Sequence, residues 1–361
     1  MLKKINLAII FGSQSGEHEV SLASANSVIK ALDKNKYNII PIAITKKGNW
    51  LIGKKGSRYI KLYGKKAGKE DAISSEESQR LVTINDSKRD LFRYAEGDTG
   101  GVKIDIVLPL LHGPFGEDGR IQGMLDMLGV PYVFSGVLAQ ALAMNKAKAN
   151  IIAKNVGVPV ADNVVITKDN SYKLDDIIKK LLLPIVVKPT ELGSSVGISI
   201  VKTKSELISG IEKAFRYGPE VMLEKFIGGR ELTVAVIGSK NNPQVLPVIE
   251  IIPKISKFYD YKAKYQTGGS QHICPAKIPA KIKNNIQNLA IKIFKAIGCK
   301  DLARADFIWS RDDNKIYFIE LNTIPGMTKT SLVPEAAKAA GIEFSQFLDK
   351  LINGAMFTNY K

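Results

Sequence analysis

The chain has 361 residues, 45% hydrophobic and 7% aromatic, which is ordinary for a soluble globular protein of two or three domains. The apolar run at residues 5–11 is too short to span a membrane, and no other segment approaches about 18 apolar residues. Two cysteines make no disulfide framework, and three histidines show no zinc-site spacing. We therefore expect a cytoplasmic protein with reduced thiols and no membrane partner.

The net charge of +17 comes from 52 basic and 35 acidic residues. Such an excess is found in proteins that bind nucleic acids or membranes. Here the lysines are scattered along the whole chain, without an arginine-rich run or a basic–aromatic ladder. We favour a lysine-biased composition over a nucleic-acid partner, and anionic substrates such as nucleotides would gain from the same positive field.

The N-terminal part predicts an α/β domain. A strand at 5–11, a tight loop at 12–16, a helix at 17–32 and a strand at 37–44 form the β–loop–α–β unit typical of a Rossmann-like parallel sheet. The Gly-x-Gly-x-x-Gly dinucleotide signature is missing. The composition of residues 53–100 predicts a surface excursion with hairpin pieces, and a strand at 104–111 follows. Further predicted elements are a loop at 112–119, a helix at 120–128, a short strand at 131–133 and a helix at 137–156.

The rest of the chain predicts a mixture of strands and helices. The central part has strands at 185–188, 197–201 and 221–226, with a helix at 205–217 capped by Ser205. Strands at 231–237 and 244–252 follow, then a long loop at 256–269 that is rich in tyrosine and lysine and typical of a lid. A helix at 279–298, a hairpin at 304–322 and helices from 332 onward complete the chain.

The hairpin carries the most informative polar pattern. A turn centred on Asp313 predicts the pairs Arg304–Asn322, Asp306–Glu320, Ile308–Phe318 and Ser310–Ile316. Because side chains alternate between faces, the first two pairs share one face. The opposite face forms a core of Ala305, Phe307, Trp309, Tyr317, Ile319 and Leu321. Two carboxylates and an amide oxygen suit Mg²⁺ with phosphates; the alternative is a surface ion pair of Arg304 with Asp306 or Glu320.

Other residues gain meaning from their positions. The loop at 189–196, with Ser194 and Ser195, has the glycine and hydroxyl groups of a phosphate lid, or is an ordinary glycine hairpin. Lys188 ends an apolar strand and must reach solvent or an anion. Three further residues could belong to a ligand site or could have an ordinary structural position. Lys146 could lie on an exposed helix face, Glu231 on an edge strand and Glu17 in a helix-capping region. His112 lies where α/β sheets bind ligands.

Together these segments resemble the D-alanine–D-alanine ligases of the ATP-grasp superfamily, in order over nearly the whole chain. The resemblance rests on GSQSGEHEVSL at 12–22, LHGPFGEDG at 111–119, VKPTELGSSVG at 187–197, FYDYKAKY at 258–265, RAD at 304–306 and ELNTIPGMT at 320–328. It implies an ATP-grasp fold with an N-terminal Rossmann-like domain at 1–134, a central subdomain at 135–227 and a catalytic domain at 228–361. ATP would lie between the last two.

The resemblance also implies roles for individual residues. Asp306, Glu320 and Asn322 would hold two Mg²⁺ ions, with Mn²⁺ as an alternative ion. ATP would contact Lys146, Lys188, Ser194, Ser195, Glu224, Lys225, Phe226, Glu231 and Lys264. The first D-alanine would meet Glu17 and His112, and the second would meet Ser331 and Leu332. The implied catalytic groups are Glu17, Ser194, Tyr265, Arg304 and Gly326, with Lys264 and Tyr265 closing over the site.

The implied reaction joins two D-alanines through an acyl phosphate, at the expense of ATP, to supply a peptidoglycan precursor. The family suggests a homodimer. Alternatives are a ligase that takes D-serine or D-lactate second, another ATP-grasp carboxylate–amine ligase, and a nucleic-acid-binding protein. The sequence departs from the family pattern at four positions: Ser13, Arg120, Phe134 and Asn145. None of these removes an implied catalytic side chain.

Overall fold

The computed structural model describes residues 3–63, 103–254 and 268–357. Its strands form three sheets, of four, four and six strands. Within the described ranges, every helix is too short or too polar to cross a membrane. Residues 64–100 of the predicted excursion and 256–267 of the predicted lid loop lie outside the described residues.

The first sheet has the order β3-β2-β1-β4, in which β1 pairs in parallel with β2 and β4, as predicted. Its strands are β1 Ile5–Gly12, β2 Tyr37–Ile44, β3 Trp50–Ile52 and β4 Ile106–Leu110. Its helices are α1 His18–Ala31, α2 Lys54–Tyr63 and α3 Arg120–Met127. Because β1 and β4 run in parallel, the loops after both strands meet at one edge of the sheet.

Two predictions for this part were wrong. Residues 54–63 form a helix and not a hairpin piece, because Tyr59 and Ile60 turn into the core on one helical face, where the Tyr59 hydroxyl lies 3.1 Å from His18 Nε2. The expected strand at 131–133 is reduced to a single bridge between Val107 and Tyr132.

The second sheet has the order β5-β8-β6-β7 and is antiparallel. Its strands are β5 Asn163–Thr167, β6 Ile185–Pro189, β7 Ser199–Val201 and β8 Glu220–Lys225. The helices of this region are α4 Val137–Met144, α5 Lys146–Asn155, α6 Leu174–Leu181 and α7 Lys204–Phe215. Thr203 caps α7 by accepting from the Glu206 N–H at 3.2 Å, so the prediction of Ser205 as the cap was wrong.

The predicted single helix at 137–156 is divided at Asn145. This residue is extended, with φ −84° and ψ 100°, and its side-chain oxygen accepts from the Lys148 N–H at 3.0 Å. Asparagine is a strong N-cap, so a new helix begins at Lys146. The break places Lys146 at a helix N-terminus instead of on a continuous apolar face.

The third sheet has the order β12-β11-β9-β13-β14, and β10 pairs with β9. Its strands are β9 Gly229–Gly238, β10 Pro243–Val245, β11 Ile249–Pro253, β12 Ser270–Ile273, β13 Asp301–Ser310 and β14 Ile316–Asn322. The helices are α8 Ala280–Ile297, α9 Leu332–Ala339 and α10 Phe344–Phe357. Alanines of α4 and α5 share a core with this sheet, among them Ala139 and Ala149. The domain boundaries proposed from sequence therefore remain predictions.

The hairpin of β13 and β14 confirms the important part of the predicted register. Arg304 pairs with Asn322, and Asp306 pairs with Glu320. A β-bulge follows Asp306 and leaves Ile319 as the extra residue.

Beyond this bulge the predicted pairing was wrong by one residue. Ile308 pairs with Tyr317, and Trp309 pairs with Ile316. As a consequence Ile316 and Phe318 are buried in the core, whereas Tyr317 turns to the opposite face with Ile319.

Candidate active site

A cleft that encloses about 140 Å³ lies between the second and third sheets and opens to solvent. Its walls include the apolar side chains of Val186, Ile200 and Ile308. Nine residues predicted from sequence line it: Lys146, Lys188, Ser195, Glu224, Lys225, Phe226, Glu231, Asp306 and Glu320. Apolar walls with a few convergent charged groups are typical of a small-molecule site.

Two buried lysines bring positive charge into the cleft. Lys188 Nζ lies 2.6 Å from Glu224 Oε2, and Asn150 supports the same carboxylate at 3.4 Å. Lys146 donates to the Leu192 carbonyl, and its Nζ lies 3.6 Å from Glu320 Oε2. Because both lysines are nearly inaccessible, their charges lie inside the cleft and not on the outer surface.

Asp306 lies at the centre of a hydrogen-bonded network. Arg304 donates to both carboxylate oxygens, at 2.9 and 2.7 Å, Asn322 Nδ2 donates at 3.1 Å, and the Thr233 hydroxyl also donates. The sequence offered a surface ion pair of Arg304 as the alternative to a metal site. The Arg304–Asp306 ion pair is present, but its side chains are mostly hidden from solvent.

The residues of this patch fit a divalent cation by their chemistry. Asp306 and Glu320 offer carboxylate oxygens, and Asn322 can offer an amide oxygen if its side-chain amide rotates away from Asp306. That rotation would also release one acceptor position on Asp306.

Glu17 lies at the edge of the first sheet, against the Gly-Ser-Ser loop of the second. The Ser194 hydroxyl donates to its carboxylate. A Cβ atom on either Gly113 or Gly193 would lie 2.6 Å from Glu17 Oε2, so both glycines leave room for this side chain. Ser194 and Ser195 both have left-handed backbone, with φ 51° and 59°, which shapes the loop that joins Glu17 to the cleft.

Two buried groups lie near Glu17. Burial, and secondarily the charge of Glu17, raises the pKa of Glu117 to about 8. Burial lowers the pKa of His112, so its ring is neutral. His112 was predicted near the first substrate, and both of its ring nitrogens are within hydrogen-bonding distance of protein atoms, Ser24 Oγ and the Ile324 carbonyl.

Ser331 and Leu332 lie at the start of α9, where N–H groups favour a carboxylate. The Ser331 hydroxyl accepts from the Thr328 N–H at 3.1 Å, and Gly326 packs against Ser331. The other predicted residues, Lys264 and Tyr265, lie outside the described residues.

The sequence matches the family model "D-ala D-ala ligase N-terminus" over residues 6–135 and "D-ala D-ala ligase C-terminus" over residues 152–353. The chain belongs to the D-alanine–D-alanine ligase family. It is 39% identical to a D-alanine–D-alanine ligase of Caldicellulosiruptor bescii, over 99% of this chain and 97% of that protein. It is 40% identical to one of a Thermoanaerobacter species, over 98% and 97%.

Solved structures of the ligase family share the fold. The VanG D-Ala:D-Ser ligase of Enterococcus faecalis aligns with a TM-score of 0.81 at 34% identity, over 97% of this chain and 99% of that one. The Bacillus anthracis D-alanine–D-alanine ligase, complexed with ATP, aligns with a TM-score of 0.70 at 30% identity, over 98% and 97%. The ATP-grasp fold predicted from sequence is confirmed, and the chain is an ATP-dependent ligase.

Three of the positions expected from sequence to depart from the ligase pattern have distinctive local geometry. Ser13 and Phe134 adopt φ 113° and 80°, where glycine is normally preferred. Asn145 donates from Nδ2 to Glu191 at 2.8 Å, which a carboxylate could not do.

Sequence reasoning missed several supporting residues. Thr233 reaches Asp306 from a strand 73 positions away, so no local pattern marks it. Asn150 is different, because it follows Lys146 by one helical turn and donates to Glu224, which lines the cleft. That spacing was a usable signal.

Proposed function

We propose that this site joins two D-alanines to D-alanyl-D-alanine through an acyl phosphate, and so supplies a peptidoglycan precursor. One contact supports this above all: Ser194 of the candidate phosphate loop donates to Glu17. Glu17 would bind the ammonium group of the first D-alanine, so the carboxylate of that D-alanine would lie beside the terminal phosphate of ATP. Proximity of this kind contributes much of the catalysis of group transfer.

The first step transfers the γ-phosphoryl group of ATP to the carboxylate of the first D-alanine, and ADP leaves. Lys146 and Lys188 would neutralise phosphate charge, with Lys188 exchanging its bond to Glu224 for one to phosphate. Mg²⁺ held by Asp306, Glu320 and Asn322 would supply further charge neutralisation when bound.

In the second step, the amine of the second D-alanine attacks the acyl carbon, and the resulting tetrahedral intermediate expels phosphate. Ser331 and the N-terminus of α9 would hold the carboxylate of this second substrate. Arg304 and the Gly326 N–H would stabilise the oxyanion. Lys264 and Tyr265 would cover the intermediate and exclude water.

The test of the reaction is to incubate the chain with ATP, Mg²⁺ and D-alanine and to identify the product by mass, which should be that of D-alanyl-D-alanine. Asp306→Ala and Glu320→Ala should abolish ADP release. Because Asp306 also holds Arg304, Glu320→Gln is the cleaner variant, since it retains the side-chain shape. Near-normal turnover of Glu320→Gln would contradict the metal assignment, and intact thermal unfolding serves as the control for folding.

A second candidate uses D-serine as second substrate, because a D-Ala:D-Ser ligase is among the similar structures. D-Alanine supplied with D-serine and D-lactate in competition separates the candidates by product mass. We expect D-alanyl-D-alanine, and we expect Tyr265→Phe to weaken the preference for an amine over a hydroxyl acid. Unchanged product ratios for Tyr265→Phe would rule out that role.

We further propose that the protein acts in the cytoplasm as a homodimer on small molecules, without a nucleic-acid or membrane partner. The family relationship supports this. Light scattering on the purified chain should give twice the mass of 39.5 kDa. Salt-sensitive DNA binding without ADP release from D-alanine would favour the nucleic-acid alternative instead.

A further inference from the structure

The segment after β14 is anchored by side chains that come from far away in the chain. The Ile324 N–H donates to Glu117 Oε1 at 3.1 Å, and the Ile324 carbonyl accepts from His112 Nδ1 at 2.9 Å. The Met327 N–H donates to Ser24 Oγ at 3.2 Å. The main chain is therefore held on both sides of Pro325 and Gly326.

The direction of each bond follows from the chemistry of its groups. A carbonyl can only accept, so His112 Nδ1 carries the proton, and in a neutral ring Nε2 is then an acceptor. The Ser24 hydroxyl, 3.1 Å from Nε2, donates to it and accepts from Met327. Ser24, His112, Ile324 and Met327 are buried, so each bond lost among them would leave an unsatisfied polar atom.

We propose that Glu117, His112 and Ser24 are positioning residues that fix the main chain of residues 324–327 and so aim the Gly326 N–H at the oxyanion. The role of Gly326 rests on the proposed function. Pro325 has a ring-fixed φ, so Gly326 has little freedom once Ile324 and Met327 are both held. A displacement of about 1 Å at such a donor costs on the order of a hundredfold in rate.

Glu117→Ala and His112→Ala test this. Each should lower kcat for dipeptide formation about 10- to 100-fold while leaving the affinity for ATP unchanged, because neither residue lines the ATP cleft. His112→Asn retains an N–H close to the position of Nδ1 and should recover most of the lost kcat. Glu117→Gln retains one acceptor oxygen and should lose less than Glu117→Ala.

Gln122 provides a matched control. Its Nε2 donates to the Gly116 carbonyl at 2.8 Å, so it supports the same loop as Glu117 without contacting Ile324. Gln122→Ala should lower the unfolding temperature but leave kcat unchanged. The positioning role is wrong if Gln122→Ala loses as much kcat as Glu117→Ala. It is also wrong if Glu117→Ala and His112→Ala both keep full kcat.

Hydrogen exchange gives a readout that does not depend on the reaction. The amides of Ile324 and Met327 should exchange faster in Glu117→Ala and His112→Ala, but not in Gln122→Ala. Unchanged exchange would overturn the anchoring. If exchange responds as expected but the unaltered chain makes no dipeptide, the proposed function fails and the anchoring stands.

Discussion

At the scale of single residues, Glu17 shows how glycine can serve a neighbouring side chain. Gly113 and Gly193 come from different parts of the chain, and each leaves space for the same carboxylate. The position of Glu17 at a helix start left its role open, and the family resemblance implied that it binds the first D-alanine. It could not predict that two distant glycines enclose it, because that depends on the packing of one sheet against another.

Gly193→Ala should displace Glu17, because the added Cβ would lie 2.6 Å from its Oε2. The carboxylate is the end of a flexible side chain, so it can move and the fold should survive. We expect a higher KM for the first D-alanine, with ATP affinity and unfolding temperature little changed. Gly218→Ala, where a Cβ meets no atom within 4 Å, is the control. A normal KM in Gly193→Ala would show that the carboxylate position is unimportant.

At the scale of elements, the break between α4 and α5 was not predicted, since residues 137–156 have a continuous helical pattern apart from Asn145. An asparagine inside a helical pattern is only a weak indication of a helix break. Its side chain stabilises a helix start only where the chain adopts the extended cap conformation. The break matters for function because it aligns Lys146 with the loop of Glu191 and Ser194.

Asn145→Asp should test that alignment. The new carboxylate can still cap α5, but it would replace the donor to Glu191 by a like charge at about the same 2.8 Å spacing. We expect weaker ATP binding, measured by calorimetry. Adding Glu191→Gln should restore the affinity, because the glutamine amide can donate to the carboxylate introduced at position 145. Unchanged ATP affinity in Asn145→Asp alone would show that the contact between residues 145 and 191 does not affect ATP binding.

The hairpin shows which part of a register can be predicted. Alternation placed Asp306 opposite Glu320 correctly, because both strands carry polar residues on one face at their open end. The bulge at Ile319 could not be predicted, because an apolar residue fits either the core or the apolar wall of the cleft. Only packing against the neighbouring helices decides between them.

At the scale of the whole molecule, the first and last parts of the chain meet over a common core. Leu7, Phe11 and Leu110 of the first sheet belong to the same cluster as Leu351 of α10. Polar contacts add to it, since Lys36 Nζ and the Tyr37 hydroxyl both reach Asp349, at 2.6 and 2.8 Å. Sequence order predicted the separate elements, but not these contacts, and the two bonds to Asp349 join residues more than 300 positions apart.

Asp301 is a buried carboxylate at the start of β13. It accepts from the Phe134 N–H at 2.9 Å, and burial raises its pKa from 3.8 to about 6. Its folded-state pKa exceeds the unfolded value, so its contribution favours the folded state at acid pH and is lost as the pH rises through about 6.

Asp301→Asn should remove the loss of stability that the ionisation of Asp301 causes as the pH rises. Asparagine retains the acceptor and tolerates the left-handed φ of 62° at this position. The free energy of unfolding should match that of the unaltered chain only well below pH 3.8, where Asp301 is protonated in both states, and exceed it by on the order of 2–3 kcal/mol above pH 7, at about 1.4 kcal/mol per tenfold change. Urea titrations over this pH range measure it, and a constant difference would exclude the ionisation of Asp301 as the cause.

The bulge in β14 has a consequence for what the hairpin tolerates. It separates the pairs at Asp306 and Arg304 from the pairs nearer the turn, so each side of the hairpin is set by its own contacts. Residues 311–314 are exposed at the far end. Their turn is thus where a short peptide tag or a dye could be inserted into this sheet while the two carboxylates stay on the same face.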